Sequence, residues 1–154
     1  MKARAIVAVL ALCFAAAAVC VAADAFSGTW KLNEAKSKMA TGVPKNTTVI
    51  YEAAGDNVKI TVEGTDSAGK ATHNEWTGKF DGKEYAVNGD PTSDMRSYTK
   101  VDDHTLTFVA KQAGKETLRG RVVISADGKT RTVHVTATDA SGKKVSGTAV
   151  YDKQ

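Results

Sequence analysis

Beyond residue 20 the chain contains no cysteine, and over residues 26–154 it contains only three leucines: Leu32, Leu106 and Leu118. The first absence excludes disulfides, a cysteine nucleophile and thiolate metal ligation from that span. The second removes the apolar faces on which helices pack. No stretch carries five charges of one sign. The footprint of nucleic-acid binding, a clustered basic stripe with interleaved aromatics, is therefore missing, and no nucleic-acid partner is expected. Residues 26–154 hold 19 basic and 16 acidic side chains, a net charge of +3, interspersed as in proteins that stay dispersed.

The start of the chain differs in kind. Lys2 and Arg4 precede an uninterrupted apolar run from Ile6 to Val21, and Ala23-Asp24-Ala25 follows as a small-x-small triplet. This pattern predicts a signal peptide over residues 1–25, cut after Ala25, with a cut after Ala23 as the alternative. Both cysteines, Cys13 and Cys20, fall inside it. The mature chain, 26–154, is then a single domain in the periplasm or outside the cell. No other run approaches the roughly 20 apolar residues of a membrane-spanning helix.

Residues 26–154 contain 18 threonines, 13 valines and 13 glycines. Branching at Cβ stiffens Thr and Val in a way that suits the pleat of a strand. Apolar and polar residues alternate with period two in Val58-Ile60-Val62, Leu106-Phe108-Ala110 and Val133-Val135-Ala137. Five Gly-Lys pairs, beginning at Gly69, Gly82, Gly114, Gly128 and Gly142, punctuate these runs as hairpin turns. Ten strands are expected, near 27–32, 46–53, 57–64, 72–80, 83–87, 95–101, 104–111, 115–124, 130–138 and 143–152. One short helix, Asn33 to Ala40 with Asn33 as its cap, follows the first strand and stops before Pro44. The expected fold is all-β: an antiparallel up-and-down barrel of about ten strands (eight to ten), closed because closure removes both edges. Low apolar content favours a barrel, which can keep a partly polar interior, over a sandwich.

Phe26-Ser27-Gly28-Thr29-Trp30-Lys31-Leu32 resembles the opening Gly-x-Trp strand of the calycin superfamily, the lipocalins and fatty-acid-binding proteins. Thr148-Ala149-Val150-Tyr151-Asp152-Lys153 is similar to the last strand of fatty-acid-binding proteins. The resemblance covers both ends of the chain directly and its middle by pattern. It implies a lipocalin-like barrel with Trp30, behind Gly28, plugging the closed end. It implies an interior ligand too, with Tyr151 at the family's tyrosine. The family's partner arginine, two residues earlier, is replaced here by Ala149, and Arg121 matches a second family arginine. The family is cytosolic, whereas this chain carries an export pattern.

Candidate ligand residues follow. Trp76 and Phe80 share a face with Asn74 and Gly78, and small residues beside large rings leave room for a ligand. Core packing is the competing reading of that face. Phe108 lies on the buried face with Leu106 and Ala110. Tyr151 is in phase with Val145, Gly147 and Ala149. Arg121 is the expected anion contact, although its strand phase, opposite Leu118, Val122 and Ile124, turns it and Arg119 outward. Tyr98 shares a face with Arg96 and Lys100, which predicts that it is exposed. His73, His104 and His134 fall on separate strands without metal-ligand spacing, and no Ser lies in Gly-x-Ser-x-Gly, so neither a metal, a cofactor nor an enzyme is expected. The chain is expected to be a monomeric exported protein binding a small amphipathic or hydrophobic molecule. The alternative is a structural or interaction protein of the bacterial envelope with a filled barrel. A void of about 300 Å³ or more separates the two.

Overall fold

The computed structural model describes residues 24–39, 44–138 and 142–154. The expected signal peptide, except Asp24 and Ala25, lies outside the described residues. Among those described, ten strands follow in order: β1 (Gly28–Leu32), β2 (Lys45–Ala54), β3 (Asn57–Thr65), β4 (Ala71–Gly78), β5 (Asp81–Asn88), β6 (Met95–Asp102), β7 (Thr105–Gln112), β8 (Lys115–Ile124), β9 (Thr130–Thr138) and β10 (Lys144–Lys153). Each pairs antiparallel with its neighbour in the chain, and β1 also pairs with β10. The sheet is a closed up-and-down barrel, as the period-two alternation and the removal of both edges by closure predict. Trp30 marks the closure, paired with Val49 of β2 on one side and Lys153 of β10 on the other. The thinnest seam is between β4 and β5, where only Glu75 with Asn88 and Trp76 with Val87 are in register.

Three expectations are corrected. The helix over 33–40 shrinks to a 3₁₀ turn, Glu34–Lys36, capped by the Asn33 side chain, which accepts from the Lys36 amide at 3.1 Å. The chain cannot continue as a helix because β10 captures it. Ser37 Oγ accepts from the Val150 amide at 2.9 Å, and Lys38 bridges to Thr148. Secondly, β4 stops at Gly78 rather than running to Phe80. All five Gly-Lys glycines have φ between +70° and +82°, but Gly82 lies inside β5, where the register shifts between Asp81 and Glu84. It forms a bulge rather than a hairpin tip. Thirdly, Tyr98 and Arg96 are buried, not exposed. They point inward because charge does not fix orientation where a buried carboxylate, Asp90, is there to pair with the arginine.

The turns after β2, β4, β6 and β8 lie at one end of the barrel with the start of β1, and those after β3, β5 and β7 lie at the opposite end. Aromatic rings fill the first end. Phe26 sits 6.4 Å from Tyr51 and 6.0 Å from Phe80, Phe80 stacks on Trp76 at 6.2 Å, and Trp76 meets Tyr98 at 4.8 Å. Trp30 is fully buried there. Its Nε1 donates to the Phe26 carbonyl at 2.8 Å, and the Lys153 ammonium lies 5.1 Å from its ring centre. The core is therefore concentrated in one half of the barrel.

Candidate functional site

Inward-facing side chains shrink along β9 and β10 away from that plug. β9 presents Arg131, Val133, Val135 and Ala137 in turn, and β10 pairs Tyr151, Ala149, Gly147 and Val145 against them. Large groups lie at the closed end and small ones at the other, so the described residues do not fill the upper half of the barrel. A cavity of about 690 Å³ occupies it. Its walls are apolar on one side, with Leu118, Val135, Ala137 and Val145, and polar on the other, with Thr72, Asn74 and Arg96. Met39, Pro44, Asp66 and Pro91 border its mouth. This volume is well within the range of small-molecule sites.

One ion pair anchors the polar wall. Arg96 Nη2 donates to Asp90 Oδ2 at 2.8 Å, with both side chains about nine-tenths buried. The carboxylate is otherwise saturated: the Ser93 hydroxyl donates to Oδ2 at 2.5 Å, and the Thr92 hydroxyl and amide donate to Oδ1 at 2.7 and 2.8 Å. Burial pushes the Asp90 carboxyl up, but these donors and Arg96 outweigh it and hold its pKa below the usual aspartate range. A depressed folded-state pKa contributes stability above the ordinary aspartate value, and that contribution is lost as pH falls through the depressed one. Asp90→Asn should therefore lower the melting temperature at neutral pH, and the gap from the parent should close as pH falls into the acid range. Parallel melting curves across that range would contradict the assignment. Two polar atoms of this wall, Asn74 Oδ1 and Arg96 Nε, are buried without a hydrogen-bond partner.

The expected ligand residues are brought together, but not around this cavity. Trp76, Phe80 and Phe108 belong to the ring cluster of the closed half, and Trp76 Nε1 donates to the Arg96 carbonyl at 2.9 Å. The expectation that they line the ligand space is corrected for this cavity, which none of them borders: their rings pack in one cluster, and Phe80 also edges a smaller space of about 270 Å³ beside Phe26, Tyr51 and Val58. Gly120 shows how tight the fit is, since a Cβ there would come within 2.6 Å of both the Phe108 ring and the His134 carbonyl. Tyr151 is buried below the cavity, against Arg131. Arg121 is exposed on the outer face, as its phase indicated, so it is corrected as an anion contact.

The interior cation is Arg131 instead. Its guanidinium lies 4.7 Å from the Tyr151 ring centre and 5.5 Å from that of Tyr51, and Nη2 donates to the Tyr51 hydroxyl at 3.1 Å. Nε and Nη1 are buried without partners. Burial pushes both phenols up, with Arg131 offsetting part of the effect, so both are neutral at neutral pH. No carboxylate pairs with Arg131 among the described residues, and two π faces carry the charge. Val122, Val133 and Ala149 form a buried layer between it and the cavity. Tyr51→Phe alone should cost about 1–3 kcal/mol by orphaning Nη2. Tyr51→Phe with Arg131→Met removes the charge and its partner together and should restore stability to within about 1 kcal/mol of the parent, or exceed it. A urea titration showing the double variant weaker than the single one would contradict this. Arg131 was findable in sequence, because it is in phase with Val133 and Val135.

The fold and cavity define a barrel plugged by aromatic rings at one end, with a ligand-sized cavity toward the other. No protein-family model matches the chain, and no curated protein matches it. Solved structures do. The structure of EF1p2_mFAP2b bound to DFHBI aligns over 86% of this chain and 97% of that one, with a TM-score of 0.51 at 12% identity. A redesigned β-barrel aligns over 88% and 97%, with a TM-score of 0.44 at 14% identity. The first likeness is one of fold.

Proposed function

We propose that this chain is an exported, monomeric binding protein, not an enzyme, that holds one small amphipathic molecule in the upper half of a lipocalin-like barrel. The observation that carries this is the cavity of about 690 Å³, more than twice the void that separates a carrier from a filled barrel. Its division into an apolar and a polar wall fits an amphipathic occupant. A similar barrel, EF1p2_mFAP2b, holds DFHBI. Export rests on Lys2, Arg4 and the apolar run from Ile6 to Val21. Cleavage after Ala23 is supported over cleavage after Ala25 by the contacts of Asp24, whose carbonyl accepts from the Ser27 amide at 2.9 Å and whose side chain accepts from Phe26 at 3.3 Å. Cutting after Ala25 would place an ammonium group on Phe26, a fully buried residue. Native mass spectrometry of protein purified from its own host tests both halves. The expected spectrum is a chain starting at Asp24 with one small organic molecule bound. An intact Met1 on the folded protein would refute export, and a bare mass with nothing extractable into organic solvent would favour the envelope-interaction reading.

A further inference from the structure

Among the described residues, the cavity offers a ligand no free cation. Its lining holds three charged groups, Asp66, Asp90 and Arg96, and so one net negative charge. Arg96 is buried against Asp90, at 2.8 Å, and Tyr98. Asp66 Oδ1 accepts from the amides of Ala68 and Lys70 at 2.9 Å each in its own turn. Residues 40–43 and 139–141 contain no lysine or arginine. The lysines of this end, such as Lys70 and Lys115, are exposed and outside the lining, where water and salt screen them. The other interior cation, Arg131, lies beyond the Val122, Val133 and Ala149 layer. A carboxylate entering the space would lose hydration and gain no counter-charge.

The accessible polar groups are neutral, and they stand at the mouth. Thr72 is in phase with the inward-facing Asn74 and Trp76 on β4, and Gln112 with Phe108 and Ala110 on β7. Asn46 lies at a shift in the β2–β3 register. All three border the cavity at the strand ends away from the plug, Thr72 half-buried and the other two exposed. None of their side chains is hydrogen-bonded to another described residue. Thr, Asn and Gln side chains both donate and accept, as a hydroxyl group does, so the rim matches a hydroxylated head. We propose that the cavity takes an uncharged, hydroxylated amphiphile tail-first and turns carboxylates away. The head stays among Asn46, Thr72 and Gln112, and the tail lies on Leu118, Val135 and Ala137. This rests on the ligand-binding reading and adds the ligand's class and its direction of entry.

Displacement of Nile red, a neutral solvatochromic dye, by 1-decanoylglycerol, methyl decanoate and decanoate at neutral pH tests it. The three share an acyl chain and differ in the head: a neutral diol, a neutral ester without hydroxyls, and an anion. The glyceride should bind at least about ten-fold more tightly than decanoate, with the methyl ester between them. Asp66→Asn keeps an acceptor for the turn amides and removes the charge, so it should narrow the gap between methyl ester and decanoate. Thr72→Val combined with Gln112→Leu removes polar groups from the rim and should bring the glyceride down to the methyl ester. Decanoate binding as tightly as the glyceride would overturn the exclusion of carboxylates. A methyl ester equal to the glyceride on the parent, or a glyceride advantage that survives the double substitution, would overturn the hydroxylated head. Each of these results leaves the carrier reading intact. If Nile red itself shows no saturable binding, the carrier reading and this inference fall together. Should the double variant not fold, the order of the three ligands on the parent protein decides alone.

Discussion

Trp30→Ala should lower the unfolding free energy by about 3–5 kcal/mol. Three contributions disappear at once. The indole is fully buried, so its removal opens a cavity where neighbouring strands β2 and β10 hold the backbone fixed. The hydrogen bond from Nε1 to the Phe26 carbonyl is lost, leaving a buried acceptor unpaired. The Lys153 ammonium, 5.1 Å from the ring centre, loses its π face. Because Trp30 touches both sides of the barrel closure, the loss should appear in the global transition and not as local fraying. Urea unfolding followed by far-ultraviolet circular dichroism reads it. A loss below about 1 kcal/mol would mean that Trp30 does not hold the closed end.

The second large effect is on binding. Ala137 lines the cavity from β9 and pairs with Leu118 and Val145. Ala137→Trp projects an indole into the ligand space while leaving the closed-end core untouched, so it should weaken Nile red binding at least about ten-fold with little change in melting temperature. Arg121→Ala is the matched control. That side chain faces solvent on β8, and its removal should leave dye affinity as it was. A Trp variant that binds as well as the parent would place the dye elsewhere.

The backbone was largely legible in the sequence because one physical rule governs it. Apolar residues, many of them Val, alternate with polar ones, many of them Thr, Gly punctuates the turns, and the ten expected strands fall within a residue or two of the observed ones. The exceptions are local. At β4 and β5, a left-handed glycine serves a bulge at Gly82 as readily as a turn. After β1, helix-compatible residues are claimed by hydrogen bonds to Val150 and Thr148, partners more than a hundred residues away. The site was less legible. Reading aromatic residues as ligand lining overlooked that Trp76, Phe80 and Phe108 reach one another across strands and seal one half. Reading charge as outward misplaced Arg96, and Arg131 was not singled out, although it lies on the same face as Val133 and Val135. The cavity arises from the gradient from Arg131 and Tyr151 to Ala137 and Gly147, a property of paired strands rather than of any one segment.

The central claim, that the upper half of the barrel is a ligand site and the lower half a plug, is tested most directly by amide chemical-shift mapping of the protein titrated with Nile red. Saturable shifts are predicted for Asn74, Arg96, Leu118, Val135 and Ala137, with the amides of Trp30, Tyr51 and Arg131 unmoved. Shifts confined to the outer face or to the Trp30 end, or none at saturating dye, would contradict it.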